Sequence, residues 1–96
     1  MIASFSDDMT EHLFRLVISA KVRRFPAEVR KRARNKLYVL DAAASLADLK
    51  AVPGNHLEAL TGNLAGHYSI RINDQWRVVF KWEGNNARDV RIADYH

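Results

Sequence analysis

The chain has 96 residues, of which 48% are hydrophobic and 27% charged, a balance that predicts one folded domain spanning residues 1–96 and argues against a disordered chain or a second domain. There is no cysteine, which excludes a disulfide framework, a thiolate metal site and thiol redox chemistry. Lys and Arg number 15 against 11 Asp and Glu, and the resulting net charge of +4 favours encounter with polyanions.

Residues 1–5 alternate, with Ile2 and Phe5 apolar, and predict an edge strand before Asp7 or Asp8 caps a helix. From Asp8 to about Ile18, Leu13, Phe14, Val17 and Ile18 fall on one helical stripe, which predicts a first amphipathic helix. Pro26 suits a first helical turn. From Ala27 to about Ala44 the residues Val29, Ala33, Leu37, Leu40 and Ala44 repeat at helical spacing, which predicts a second helix. Its other faces carry Arg30, Lys31, Arg32, Arg34 and Lys36, and Lys21, Arg23 and Arg24 stand just upstream, against the single acid Glu28. The positive charge is thus localised on a face suited to a nucleic acid, to an acidic partner segment or simply to solvent. Ser45-Leu46-Ala47-Asp48-Leu49 adds a further helical turn, and Val52-Pro53-Gly54-Asn55 breaks the pattern.

A strand register follows. His67 to Ile72 places Tyr68, Ile70 and Ile72 on one face and His67, Ser69 and Arg71 on the other. Asn73-Asp74-Gln75 turns the chain, and the return strand sets Trp76, Val78, Phe80 and Trp82 against Arg77, Val79 and Lys81. After a turn at Gly84-Asn85-Asn86, the last strand sets Val90 and Ile92 against Arg91, Ala93 and Tyr95. Helices first and a β-meander after predict an α+β fold, two N-terminal helices packed on the apolar face of a mainly antiparallel sheet. The opposite face is expected to be open, with Arg71, Arg77, Lys81 and Arg91 on it and Arg77 pointing away from the core.

The spacing of His56, His67 and His96 supports no metal site, and no cofactor is expected. No run of eighteen apolar residues occurs, and residues 1–8 lack a basic region followed by an apolar stretch. A soluble, cytoplasmic protein with no membrane partner is the expectation.

The run Leu57-Glu58-Ala59-Leu60-Thr61-Gly62-Asn63-Leu64-Ala65-Gly66-His67-Tyr68-Ser69-Ile70-Arg71-Ile72-Asn73-Asp74-Gln75-Trp76-Arg77, with Asp94-Tyr95-His96, resembles the RelE-like superfamily of toxins. Within it the resemblance is to the HigB or plasmid-maintenance killer group, and it covers nearly the whole chain. It implies the toxin of a type II toxin-antitoxin system: a ribosome-dependent, metal-independent endoribonuclease that cuts messenger RNA in the decoding site. It also implies a neutralising helix-turn-helix antitoxin of the HigA-like kind. Some HigB toxins carry a His and a Lys ahead of the Tyr-Ser-Ile-type strand, where this chain has Glu58 and Thr61. The set Glu58, Arg77 and His96 is instead similar to the YoeB-like branch, in which a Glu is the general base beside an Arg and a His. The missing lysine keeps a second reading open, a family member that binds antitoxin or RNA and cleaves nothing.

Cleaving RNA without metal requires a base for the ribose 2′-hydroxyl, a cation for the phosphorane and an acid for the leaving 5′-oxygen. Glu58 is the candidate base; alternatively it is a surface carboxylate paired with a neighbouring Arg. Arg77 is the candidate phosphate ligand, since a guanidinium stays charged and its planar fork fits phosphate oxygens; alternatively it makes a cross-strand ion pair with Asp94 or Glu58. His96 is the candidate acid, because imidazole titrates close to neutrality; alternatively it is a frayed polar end. Tyr95 either stacks on a base or is a half-buried edge residue. Arg71, Lys81 and Arg91 are candidate phosphate contacts or part of a solvated strand face.

Overall fold

The computed structural model describes residues 1–94, so Tyr95 and His96 lie outside the described residues. Four helices, α1 (Asp8–Phe14), α2 (Ala20–Arg24), α3 (Ala27–Ala42) and α4 (Leu46–Ala51), precede four strands, β1 (Glu58–Ala59), β2 (His67–Arg71), β3 (Trp76–Glu83) and β4 (Asn86–Asp94). The strands form one antiparallel sheet in the order β1-β2-β3-β4. The α+β expectation therefore holds; α4 stands where the further helical turn is expected, and α2 is a short helix that the sequence pattern does not announce.

The N-terminal segment does lie at the sheet edge, alongside β4 and parallel to it, through bridges at Ile2–Ala87 and Phe5–Val90. Asp7 caps α1, its carboxylate accepting from the Thr10 N–H at 2.8 Å. The first helix ends at Phe14 rather than near Ile18. Leu16 takes a left-handed backbone (φ 62), and Val17 and Ile18 stand exposed, Ile18 at 81%. The physical reason is a competing start signal: Ser19 caps α2, its hydroxyl accepting from the Val22 N–H, and His12 holds that same hydroxyl at 3.0 Å. An apolar pattern that runs on through residues 17 and 18 cannot outweigh a cap that needs an extended backbone at residue 19.

Helix α3 buries Val29, Ala33, Leu37 and Leu40 as its periodicity predicts, and ends two residues before Ala44, which is exposed. There Ser45 starts α4 by accepting from the Asp48 N–H, while the Asp48 carboxylate accepts from the Ala44 N–H at 2.9 Å. These two bonds satisfy donors that a longer α3 would have used differently. The core lies between α1, α3 and the sheet, where Leu13, Leu37, Leu40, Ile70, Val78, Phe80 and Val90 are fully buried.

One polar tie crosses this core. The Thr10 hydroxyl oxygen accepts from the backbone N–H of Ile92 at 3.0 Å, and both residues are buried. Replacing Thr10 with valine keeps the shape and strands that N–H, so Thr10→Val is expected to destabilise the fold by about 1–3 kcal/mol. A shift of the urea midpoint at constant slope would register it, whereas an unchanged midpoint would mean that β4 finds another acceptor.

Strand β4 carries a bulge against β3, because Val79 opposes Arg91 while Lys81 opposes Arg88. Asp89 sits in the bulge at φ 52, and its N–H is held by the Ser4 hydroxyl oxygen at 2.9 Å. Among the described residues no helix is long and apolar enough to cross a membrane.

Candidate active site

The polar face of the sheet is not open as expected. Ser69, Arg77 and Val79 on it are all buried, Arg77 at 5% exposure. Strand alternation did place Arg77 opposite Trp76 and Val78. What alternation does not report is that the guanidinium reaches across β2 to residues 56 and 58 at the sheet edge and is buried there.

Two bonds from that segment meet Arg77. Its Nη2 donates to the His56 carbonyl oxygen at 2.6 Å, and its Nη1 donates to Glu58 Oε1 at 3.2 Å. Of the two acids considered as partners, Glu58 is thus placed in an ion pair with it, the arginine side chain 6% exposed and the glutamate 48%. Register explains the reach. Glu58 on β1 opposes Ser69 on β2, Ser69 opposes Val79 on β3, and Arg77 is two residues from Val79 on the same face. The carboxylate therefore crosses β2 diagonally over a residue no larger than serine.

The other cations of this face are distributed around the pair. Arg71 opposes Arg77 directly across β2 and β3. It is ion-paired with the exposed carboxylate of Asp74. Arg91 opposes Val79 on β4 and is half-buried, and among the described residues its side chain makes no hydrogen bond or ion pair. Lys81 lies further along β3, opposite His67, and approaches Asp89 at 3.5 Å. The structure thus brings Glu58, Arg77, Arg71 and Arg91 to one region and leaves Lys81 at its margin. Thr61 is exposed at the start of a 3-10 turn, Gly62–Leu64. Tyr95 and His96 fall outside the described residues, but Asp94, which precedes them, opposes Trp76 at the Arg77 end of the sheet.

His56 and His67 do not pair. The first is exposed and contributes its carbonyl, and the second lies with Nδ1 3.2 Å from the Leu64 carbonyl oxygen. Among the described residues no group of three or more His, Cys, Asp or Glu side chains is placed to hold a metal ion.

The cationic stretch is only partly a free surface. Arg30 donates to the carbonyls of Phe25 and Arg23, Arg34 to that of Leu13, and Lys36 to the Asn55 side chain at 2.6 Å. Partial burial, followed by the nearby Arg32 and Arg71 charges, holds Lys36 below the ordinary lysine range. Lys36 and Asn55 were not legible as site residues. Asn55 read only as a turn former, and the one signal available was a polar residue at the end of a Val-Pro-Gly turn just ahead of Glu58.

The sheet edge thus displays a half-exposed carboxylate against a covered guanidinium, with further cations beside it, groups whose chemistry allows phosphate binding and proton acceptance. The chain also has relatives among known proteins. The family model described as RelE-like toxin of type II toxin-antitoxin system HigB matches residues 3–96. Toxin HigB-1 of Vibrio cholerae serotype O1 is 38% identical over 82 residues, which is 85% of this chain and 84% of that protein. Endoribonuclease HigB of Proteus vulgaris is 28% identical over 96 residues, the full length of both. In fold, the YoeB-YefM complex from Staphylococcus aureus contains a chain similar with a TM-score of 0.60 at 20% identity, covering 100% of this chain and 98% of that one. The chain belongs to the HigB-like family of RelE-like toxins of type II toxin-antitoxin systems. That membership supports endoribonuclease activity and an antitoxin partner.

Proposed function

We propose that the chain is a cytoplasmic, ribosome-dependent endoribonuclease that cuts messenger RNA without metal and is neutralised by a HigA-like helix-turn-helix antitoxin. The observation that carries this reading is the Glu58–Arg77 ion pair on the polar face of the sheet. Glu58 takes the proton of the ribose 2′-hydroxyl as that oxygen attacks phosphorus. Arg77, with Arg71 and Arg91 nearby, holds the phosphoryl oxygens while charge builds on them. His96 gives a proton to the 5′-oxygen as its bond to phosphorus breaks, leaving a 2′,3′-cyclic phosphate and a 5′-hydroxyl. Tyr95 stacks on a base, and Lys81 with Arg91 and Arg71 positions the strand through its phosphates.

The half-exposed Glu58 suits this role, because an RNA strand laid on the face can reach its carboxylate without unfolding the segment. Binding of a phosphate takes over the Arg77 donor that Glu58 holds in the free protein, and the carboxylate, released from the ion pair, is free to accept a proton.

Induced expression is expected to arrest growth and to create new transcript 5′ ends bearing hydroxyl groups. Arg77→Ala and His96→Ala should abolish both effects. Arrest without new ends would refute cleavage, and healthy growth with intact transcripts would favour a chain that binds and does not cut.

A further inference from the structure

Asn55 is fully buried although its neighbours Gly54 and His56 are exposed. All of its polar groups are engaged. Its N–H donates to the Val52 carbonyl at 3.3 Å, its carbonyl accepts from the Arg71 N–H at 2.7 Å, and its side-chain amide donates to the Leu49 carbonyl at 3.0 Å. The remaining oxygen, Oδ1, accepts from Lys36 Nζ at 2.6 Å. One side chain and its backbone thereby tie the end of α4, the turn after it, the end of β2 and the middle of α3.

The next residue, His56, adopts a left-handed backbone (φ 45), a conformation uncommon for residues other than glycine. Its carbonyl oxygen receives Arg77 Nη2 at 2.6 Å, and Glu58 follows two residues later. Residues 55–57 belong to no helix or strand, so no ladder fixes their path. On the far side Glu58 is set by pairing with Ser69, and on the near side by Asn55.

We propose that Asn55, locked by Lys36, is the positioning residue that holds the His56 carbonyl and Glu58 in register with Arg77; the inference rests on the Glu58–Arg77 reading of the site. Lys36 is placed against its own preference, partly buried and beside two like charges. The ammonium satisfies the buried Asn55 Oδ1 and through it secures the backbone position at residue 56. Release of the anchor lets the segment drift, and misplacement of a catalytic constellation by about 1 Å can cost on the order of 100-fold in rate.

The test uses the purified full-length chain with a defined messenger RNA on purified ribosomes, and compares wild type, Lys36→Met, Lys36→Arg, Asn55→Asp and Arg77→Ala. Each variant is assayed at a temperature where circular dichroism shows it folded. Lys36→Met keeps the length of the side chain and removes the donor, and Asn55→Asp turns the donor to Leu49 into an acceptor. Both are expected to lower kcat by about 100-fold with KM unchanged, and Lys36→Arg, which can still donate to Oδ1, is expected to restore most of it. A folded Lys36→Met chain at wild-type kcat would overturn the inference, even if Asn55→Asp fails to fold. A rise in KM alone would overturn it too, by making Lys36 an RNA contact. If Arg77→Ala is slow while Lys36→Met is not, only this inference fails; if Arg77→Ala is as fast as wild type, the site reading falls and takes this inference with it.

Discussion

Arg77→Ala is expected to reduce cleavage by about 100- to 1,000-fold, the usual consequence of deleting one preorganised donor to a developing oxyanion. It is also expected to destabilise the fold by about 1–3 kcal/mol, because the burial of this side chain gives it a second role. The guanidinium bridges the His56 carbonyl and the Glu58 carboxylate, and both lose a donor when it is removed. The two partners do not weigh equally. Glu58 is half exposed, so water replaces most of what it loses, and an ion pair with one solvated member contributes little. The short bond to His56 and the packing of a covered side chain account for the larger part. A phosphate ligand pointing into solvent would behave otherwise, losing activity at unchanged stability.

The two effects separate in measurement. Single-turnover cleavage well below the melting temperature reports the chemistry, and the urea midpoint reports the fold. Arg77→Lys sharpens the comparison, since an ammonium keeps the charge but cannot reach His56 and Glu58 with a planar fork. It should recover part of the cleavage and little of the stability. If the loss of cleavage in Arg77→Ala merely followed the loss of folded protein, Arg77 would be a structural residue, and the phosphate would have to be held by Arg71 and Arg91.

The sequence pattern reaches some of these conclusions and not others, for physical reasons that differ by residue. Helix α3 is legible because Val29, Ala33, Leu37 and Leu40 alone decide which face is buried, and β2 to β4 are legible because alternation fixes side-chain direction two residues at a time. The end of α1 is not, because Val17 and Ile18 continue an apolar stripe that the Ser19 cap interrupts. Alternation likewise names the face that Arg77 occupies but not which segment it meets, and a strand as short as β1 has no periodicity to read. Asn55 is illegible for the same reason on a larger scale, since its burial depends on Lys36, 19 residues away on another element. Of the proposed catalytic set, Glu58 and Arg77 are within contact distance of each other, while His96 lies outside the described residues.

Glu58→Gln should give the opposite profile to Arg77→Ala. The amide has the same length, and its oxygen can still accept from Arg77 Nη1, so the segment keeps its course and stability should change by less than about 1 kcal/mol. What the amide cannot do is take the 2′-hydroxyl proton, and loss of a positioned general base is expected to cost about 100- to 10,000-fold in cleavage rate. Retained fold with lost rate is a result that a surface ion pair of no catalytic consequence would not produce. Near-wild-type cleavage by Glu58→Gln would remove it as the base and turn attention to His67, on the same face of β2, or to Tyr95. Combining the change with Arg77→Ala tests whether the pair acts as a unit. Residues that serve a single step give non-additive losses, so the double variant should cleave about as slowly as the slower single variant. Fully multiplicative losses would mean that the two side chains support separate steps, and that their contact in the free protein is incidental to cleavage.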